Sequence, residues 1–234
     1  LMNVSINFTN AYANGLRSMD AVVSVFGGVP SLMKQPLIGS LYSTVELSAL
    51  PAELEEQGYY SSFYHAADEL SMGFKPFLLS QGLDDYLAKQ QYPNQEDFDG
   101  TWGIFDMPYL QYVSEKLTEQ HQPWISGIFT LSSHHPYTIP EKYKNLPQGT
   151  SEIHQSVGYT DEALRQFFQS AKSKSWFANT VFIITADHTS INQTKPHATY
   201  RGKYTVPLII YAPSRYEARV DSSVAQHLDV HATV

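Results

Sequence analysis

The stretch NTVFIITADHTS, residues 179–190, decides the fold that we predict for this chain. Its apolar part, residues 181–184, is β-branched and aromatic, which is typical of a strand buried on both faces of a parallel sheet. Asp187 and His188 follow it, and functional sites in open α/β sheets form at the carboxyl ends of strands. A carboxylate beside an imidazole indicates a pair of metal ligands. The alternative is an aspartate that caps the next turn, beside a histidine with no function.

Strands and helices alternate along the rest of the chain. Apolar or aromatic runs predict strands at 59–65, 123–131 and 205–211, and apolar residues at helical spacing predict helices at 18–26, 51–57, 74–81, 104–119 and 159–173. Residues 222–234 are expected to begin a further helix. This alternation predicts an α/β fold, with a mostly parallel central sheet and helices on both faces.

The composition favours one folded domain and excludes several classes of function. With 234 residues, 42% of them hydrophobic, the chain can bury one large core, and we expect residues 1–234 to form one domain. Its formal net charge of -8 argues against a nucleic-acid surface. Because cysteine is absent, disulfides and thiolate metal sites are excluded. No apolar run approaches the roughly 20 residues that span a membrane.

Ser18 is a further candidate, because it lies at the start of a predicted helix. Such an end binds anions and favours an alkoxide, so the hydroxyl could take part in chemistry; the alternative is a plain N-cap. His134 follows the strand at 123–131, and His197 lies in the polar loop after His188. These imidazoles and the hydroxyl therefore lie where strands or loops end.

Two kinds of chemistry use such residues. A Ser-His-Asp acyl-transfer triad on an α/β fold places its serine in a Gly-x-Ser-x-Gly elbow, and Ser18 lacks this motif. A metal-assisted site fits better: Asp187 and His188 would hold the ion, and the Ser18 oxygen would attack phosphorus or sulfur. Imidazoles and Arg17 would hold the oxygens of the anion, with an ordinary ion pair as the alternative role of Arg17.

His227 and His231 form a second histidine pair, with Asp229 between them. Their i, i+4 spacing could bind a metal on a helix. A structural role for this segment is the favoured interpretation.

Several motifs together resemble a known family. NGLRSMDA at 14–21, SSHHPY at 132–137, GYTDEALRQFF at 158–168 and FIITADHT at 182–189 are similar to motifs of the sulfatase-type domain of the alkaline phosphatase superfamily. Within it, the chain most resembles the branch of the lipoteichoic acid synthases and membrane phosphoglycerol transferases. The resemblance extends over nearly the whole chain.

The resemblance implies a role for each candidate residue. Ser18 would be the nucleophile. Ser18, Asp187 and His188 would bind one divalent cation, expected to be manganese, with zinc, magnesium or calcium as alternatives. The other candidates would bind substrate: His134, His197 and Arg17.

The resemblance also implies a function. Members of this branch transfer glycerol phosphate outside the cytoplasmic membrane through a covalent enzyme intermediate. We therefore expect an extracytoplasmic, metal-dependent transferase or hydrolase that acts on phosphodiesters such as glycerol phosphate head groups. Its substrate would be a phospholipid or an anionic envelope glycan, and membrane helices outside this chain would tether it. The alternatives are a sulfuric ester hydrolase of the same superfamily and a catalytically incomplete domain that binds an anionic envelope polymer.

Two departures from the family pattern bear on these alternatives. Sulfatases carry Cys or Ser in a C/S-x-P-x-R motif, whereas Met-Asp-Ala follows Ser18, so sulfate ester hydrolysis is the less expected chemistry. The first strand of the family ends in an acidic metal ligand, and this strand has no counterpart here. At Val234 the chain also ends where a helix should continue, so we expect it to be truncated at both ends.

Overall fold

Two structural units make up this chain. The computed structural model describes residues 1–190, 195–213 and 215–234. Unit 1 consists of residues 1–53, 72–82 and 178–234, and unit 2 consists of residues 54–71 and 83–177. The predicted α/β class is confirmed, since each unit combines a sheet with helices.

The helices and strands of the described residues follow in chain order. The strands are β1 (Ile6–Tyr12), β2 (Tyr60–His65), β3 (Asp85–Leu87), β4 (Trp124–Phe129), β5 (Phe182–Thr185), β6 (Leu208–Tyr211) and β7 (Arg219–Gln226). The α-helices are α1 (Ser18–Gly27), α2 (Leu50–Glu55), α3 (Phe74–Ser80), α4 (Asp106–Glu119), α5 (Glu152–Ala171) and α6 (His227–Thr233). No helix in the described part of the chain is both long and apolar enough to cross a membrane.

The sheet of unit 1 has the strand order β5-β6-β1-β7. β6 runs antiparallel to β5 and β1, and β1 runs parallel to β7. The carboxyl ends of β1, β5 and β7 therefore lie at the same end of the sheet. This end carries α1 after β1, Asp187 after β5 and α6 after β7. Buried apolar side chains from three of the strands and from α6 hold the unit together: Ala11, Leu208, Ala225 and Val230.

The sheet of unit 2 is smaller and entirely parallel. β2 lies between β3 and β4 and runs in the same direction as both. α4 and α5 pack against each other in this unit. Their largest fully buried side chains are Tyr109 and Tyr159.

The predicted burial of β5 on both faces is wrong, and β4 has the same degree of exposure. Every residue of both strands is partly exposed. Each strand lies at an edge of its sheet, so one side of its backbone has no neighbour in that sheet. An apolar run indicates a strand, but it does not indicate whether the strand is central or at an edge.

Two element starts also differ from the prediction, and one short strand was not predicted. Residues 222–226, expected to begin a helix, belong to β7, and the helix begins at His227. β3 was not predicted, since its three residues are too few to show a pattern. α5 begins at Glu152, a full two turns before the predicted start at 159.

Candidate metal and nucleophile site

Ser18 is the first residue of α1, and its hydroxyl does not cap the helix. Arg17 is the N-cap residue, with extended backbone angles of φ -139° and ψ 148°. The Ser18 Oγ instead donates a hydrogen bond to Asp187 Oδ2 at 2.6 Å. The plain N-cap alternative is therefore wrong. The hydroxyl remains at the positive end of the helix dipole, where anionic groups are stabilised.

The turn before Ser18 brings the side chain of Asp20 close to the backbone of Gly15. A Cβ atom on Gly15 would lie 2.2 Å from the Cβ of Asp20, a distance that no side chain tolerates. Arg17 Nε lies 2.9 Å from Asp20 Oδ2, and its Nη1 donates to the Lys34 carbonyl at 3.0 Å. The ion-pair alternative for Arg17 is thus the arrangement observed, and its role in substrate binding stays a prediction.

Asp187 and His188 form a compact pair after β5. Asp187 Oδ1 accepts from the His188 backbone N–H at 2.9 Å, and His188 Nε2 lies 3.4 Å from Asp187 Oδ2. His188 Nδ1 lies 2.7 Å from the Thr189 carbonyl oxygen, and because a carbonyl oxygen only accepts, Nδ1 carries the hydrogen of this bond. The side chains of His188 and Asp187 are 29% and 28% exposed, which leaves them accessible to an ion from solvent.

The donor set around Asp187 Oδ2 fits a divalent cation. Ser18 and Asp187 supply oxygens and His188 supplies an imidazole nitrogen, a mixture that suits manganese or zinc. The hydrogen bond from His188 to a backbone carbonyl is the contact that metal-binding histidines usually make with their other nitrogen. The described residues contain no group of three or more His, Cys, Asp or Glu that could hold a metal.

Two contacts hold the backbone on either side of this pair. Thr189 Oγ1 donates to the Lys203 carbonyl oxygen at 2.5 Å. On the other side, His227 Nε2 lies 3.0 Å from the Ala186 carbonyl oxygen. Burial lowers the pKa of His227, and the hydrogen bond to Ala186 opposes this shift.

The sequence does not predict the contact of His227, because the residues involved are distant in the chain. The i, i+4 spacing suggested only a metal-binding pair with His231 as an alternative. In the structure, His231 Nε2 lies 2.8 Å from the Ser48 carbonyl oxygen, so the two imidazoles bind different carbonyls. The structural interpretation of this segment therefore agrees with the observed contacts.

The other two predicted histidines are described by the contacts that each makes within its own unit. His197 is in an exposed turn of unit 1. His134 belongs to unit 2, where its ring centroid lies 4.2 Å from that of Trp102 and its Nδ1 lies 2.8 Å from the His135 carbonyl oxygen. The ring is exposed, and the substrate-binding roles of both histidines stay predictions.

Asp106 fixes the turn that leads to His134, and the sequence did not single it out. Its buried carboxylate accepts hydrogen bonds from Leu131 N at 2.8 Å, Ser132 N at 2.9 Å and Thr160 Oγ1 at 2.6 Å. Burial raises the pKa of Asp106, whereas these hydrogen bonds lower it. An acidic residue at a helix start is so common that only the tertiary contacts identify this role.

Solved structures define the class of fold. The chain is similar to a protein in the alkaline phosphatase superfamily from Vibrio parahaemolyticus, with a TM-score of 0.86 and 27% identity, over 98% of this chain and 56% of that one. It also resembles a lipoteichoic acid synthase from Listeria monocytogenes in fold, with a TM-score of 0.89 and 18% identity, over 100% of this chain and 63% of that one. The fold is that of the alkaline phosphatase superfamily.

Sequence comparison identifies the family. The Sulfatase family model matches residues 1–234, and the chain belongs to the Sulfatase family. Among curated proteins, lipoteichoic acid synthase 1 of Bacillus subtilis is 26% identical over 205 residues, which are 80% of this chain and 32% of that protein. The chain thus spans about a third of the length of the curated relatives it matches. The resemblance found in the sequence motifs is confirmed.

Proposed function

We propose that this chain is the catalytic part of an extracytoplasmic, metal-dependent transferase or hydrolase that acts on phosphodiesters such as glycerol phosphate head groups. One observation carries the proposal. The Ser18 hydroxyl lies 2.6 Å from Asp187 Oδ2 at a helix N-terminus, and His188 Nε2 lies 3.4 Å from the same carboxylate oxygen. A hydroxyl, a carboxylate and an imidazole thus lie close together.

The geometry supports a two-step transfer through Ser18. The Ser18 proton passes to Asp187 Oδ2 as Oγ bonds to phosphorus, and the bond from phosphorus to the donor oxygen breaks; the departing alkoxide takes a proton from water. An acceptor hydroxyl or water then bonds to phosphorus and gives up its proton to solvent, the bond from phosphorus to Ser18 Oγ breaks, and the serine oxygen takes back the proton from Asp187. The N-terminus of α1 favours the negative charge on the oxygen during both steps. A divalent cation held by Asp187, His188 and Ser18 would supply Lewis-acid stabilisation and lower the pKa of the hydroxyl.

The family supports the substrate class and the location. Curated relatives include proteins named lipoteichoic acid synthases, and the fold also matches the C-terminal periplasmic domain of EptC from Escherichia coli, with a TM-score of 0.68 and 14% identity over 98% of this chain and 69% of that one. We therefore propose a phospholipid or anionic envelope glycan as substrate, manganese as the cation and tethering by membrane helices. In this proposal the imidazoles and the guanidinium bind phosphate oxygens: His134, His197 and Arg17.

A turnover assay on the whole protein with Mn²⁺ tests this proposal. The substrates are a glycerophospholipid and bis(4-nitrophenyl) phosphate, and mass spectrometry searches the peptide with Ser18 for a phosphoryl adduct. Ser18→Ala should lower turnover at least about a thousandfold, as expected for loss of a nucleophile. Ser24→Ala is the matched control in the same helix, since its buried hydroxyl, among the described residues, contacts the carbonyls of Asp20 and Val29. It should keep turnover.

Each alternative function predicts a different result. Full turnover in Ser18→Ala would contradict nucleophilic catalysis by this residue. Faster hydrolysis of 4-nitrophenyl sulfate than of the phosphodiesters would favour the sulfuric ester hydrolase. If the whole protein turns over none of these esters and Ser18→Ala keeps its physiological role, the domain that only binds an anionic envelope polymer is the better explanation.

A further inference from the structure

We infer that His227 is a positioning residue for Asp187 and His188, acting through the carbonyl oxygen of Ala186. This inference rests on the proposed function, since it concerns the same site. Among the described residues, the side chain of His227 contacts Thr185 and the carbonyl oxygen of Ala186. It holds the main chain from which the two proposed ligands extend.

The backbone of His227 is held firmly at the junction of β7 and α6. Asn14, which follows β1, accepts at its Oδ1 from the Leu228 N–H at 3.0 Å and donates from its Nδ2 to Gln226 Oε1 at 2.7 Å. The Gln226 N–H also donates to Asp229 Oδ2 at 2.7 Å. These hydrogen bonds hold the residues on both sides of His227 in place without any contribution from its side chain.

The side chain of His227 then connects opposite edges of the sheet. β7 and β5 are the outermost strands in the order β5-β6-β1-β7, so no backbone ladder joins them. His227 is 1% exposed, and its Nε2 lies 3.0 Å from the Ala186 carbonyl oxygen and 3.4 Å from Thr185 Oγ1. A carbonyl oxygen only accepts, so Nε2 carries the hydrogen and donates it. This bond fixes the plane of the peptide that joins Ala186 to Asp187.

Packing alone does not account for an imidazole at this position. No described residue bonds the buried Nδ1 of His227. A buried acceptor without a protein partner destabilises a fold relative to an apolar side chain of similar size. Leucine would therefore fill the space at lower cost. What the imidazole adds is the Nε2–H donor to the peptide that precedes the ligand pair.

Manganese binding to the whole protein tests this inference. Isothermal titration calorimetry compares the wild type with His227→Leu, which removes the donor, and with His227→Gln, whose amide nitrogen can replace Nε2. Loss of a contact that holds metal ligands in place typically weakens the affinity for the metal by about 10- to 100-fold. We expect a loss of this size for His227→Leu. His227→Gln should restore most of the affinity. His231→Leu is the matched control, because this imidazole of the same helix bonds the Ser48 carbonyl instead. It should bind Mn²⁺ as the wild type does.

The outcomes separate a positioning role from a structural one. Wild-type affinity in a folded His227→Leu protein overturns the inference, and so does a His227→Gln protein as weak as His227→Leu. If His227→Leu does not fold, His227→Asn takes its place, because its amide is too short to reach the carbonyl.

Amide hydrogen exchange distinguishes failure of this inference from failure of the proposed function. If the wild-type protein binds none of Mn²⁺, Zn²⁺, Mg²⁺ and Ca²⁺, the metal-dependent function is wrong. Exchange at residues 187–189 then decides the role of His227 without any metal. Faster exchange in His227→Leu but not in His227→Gln supports positioning, and unchanged exchange in both overturns it.

Discussion

Acidification from pH 7.5 to 5 is expected to destabilise unit 2 through His65, the last residue of β2. Its side chain is 0% exposed, and its Nδ1 lies 2.6 Å from the Tyr86 hydroxyl. Burial lowers the pKa of His65 from 6.5 to about 4, although the nearby charge of Asp68 opposes this shift. The imidazole therefore stays neutral in the folded protein at pH values where the unfolded chain already binds a proton.

The sign and size of the effect follow from these two pKa values. Above pH 6.5 neither state is protonated, and the stability is complete. As the pH falls, the unfolded state gains the proton first, so the free energy of unfolding decreases until both states are protonated below pH 4. A pKa lowered from 6.5 to about 4 corresponds to a total loss of about 3 kcal/mol, of which about 2 kcal/mol is lost by pH 5. This is a large part of the 5–15 kcal/mol that is typical of a domain.

Urea unfolding at pH 7.5, 6 and 5 measures this effect. The wild type should lose about 2 kcal/mol more than His65→Asn between pH 7.5 and 5, because the variant has no imidazole to protonate. Tyr86→Phe is the control: it should be less stable at every pH by about 1 kcal/mol but keep the pH dependence, since burial is the main cause of the shift. Equal losses in the wild type and His65→Asn would refute the reasoning.

Three further predictions concern the contacts around the site and in unit 2. Asp187→Asn should weaken Mn²⁺ binding in calorimetry at least about tenfold, because it replaces the carboxylate oxygen 2.6 Å from Ser18 Oγ; unchanged affinity would contradict the proposed ligand set. Asp106→Ala should lower the free energy of unfolding in urea by about 3–6 kcal/mol, because two buried backbone N–H groups lose their acceptor, and Asp106→Asn should lose less. Gly15→Ala should cost about 1–3 kcal/mol and lower turnover, because its Cβ would lie 2.2 Å from Asp20 Cβ; wild-type thermal stability would show that the turn can adjust.

The sequence was informative where function depends on short, local patterns. The apolar run before Asp187 predicted β5, and the polar residues after it were correctly expected at a strand end. The helix after Arg17 was predicted with Ser18 as its N-cap, and it begins one residue earlier than that, at Ser18, with Arg17 as the N-cap. The sequence could not decide whether the Ser18 hydroxyl caps its own helix. That choice depends on Asp187, which is distant in the chain and reaches Ser18 only through the fold.

The sequence was least informative at the edges of the sheets. β7 contains mainly exposed residues, with Ala225 as its one buried residue, so no alternating apolar pattern indicates a strand. Pairing with β1 nevertheless makes it one, over six residue pairs from Ile6 to Tyr12. The apolar sequence of β6 does not indicate that this strand is antiparallel either, because strand direction depends on how the chain returns to the sheet.

The supporting contacts of the site are made to the main chain. Within the sheet of unit 1, β5 pairs with β6, and the proposed ligands lie in the chain that follows β5. A reactive site needs its groups held to within about 0.5 Å. His227 bonds the carbonyl of Ala186, His188 bonds that of Thr189, and the Thr189 hydroxyl bonds that of Lys203. All three contacts end on backbone carbonyls and therefore fix the path of the chain. The proposed ligand atoms, the carboxylate oxygens and His188 Nε2, do not make these contacts and stay available for the ion.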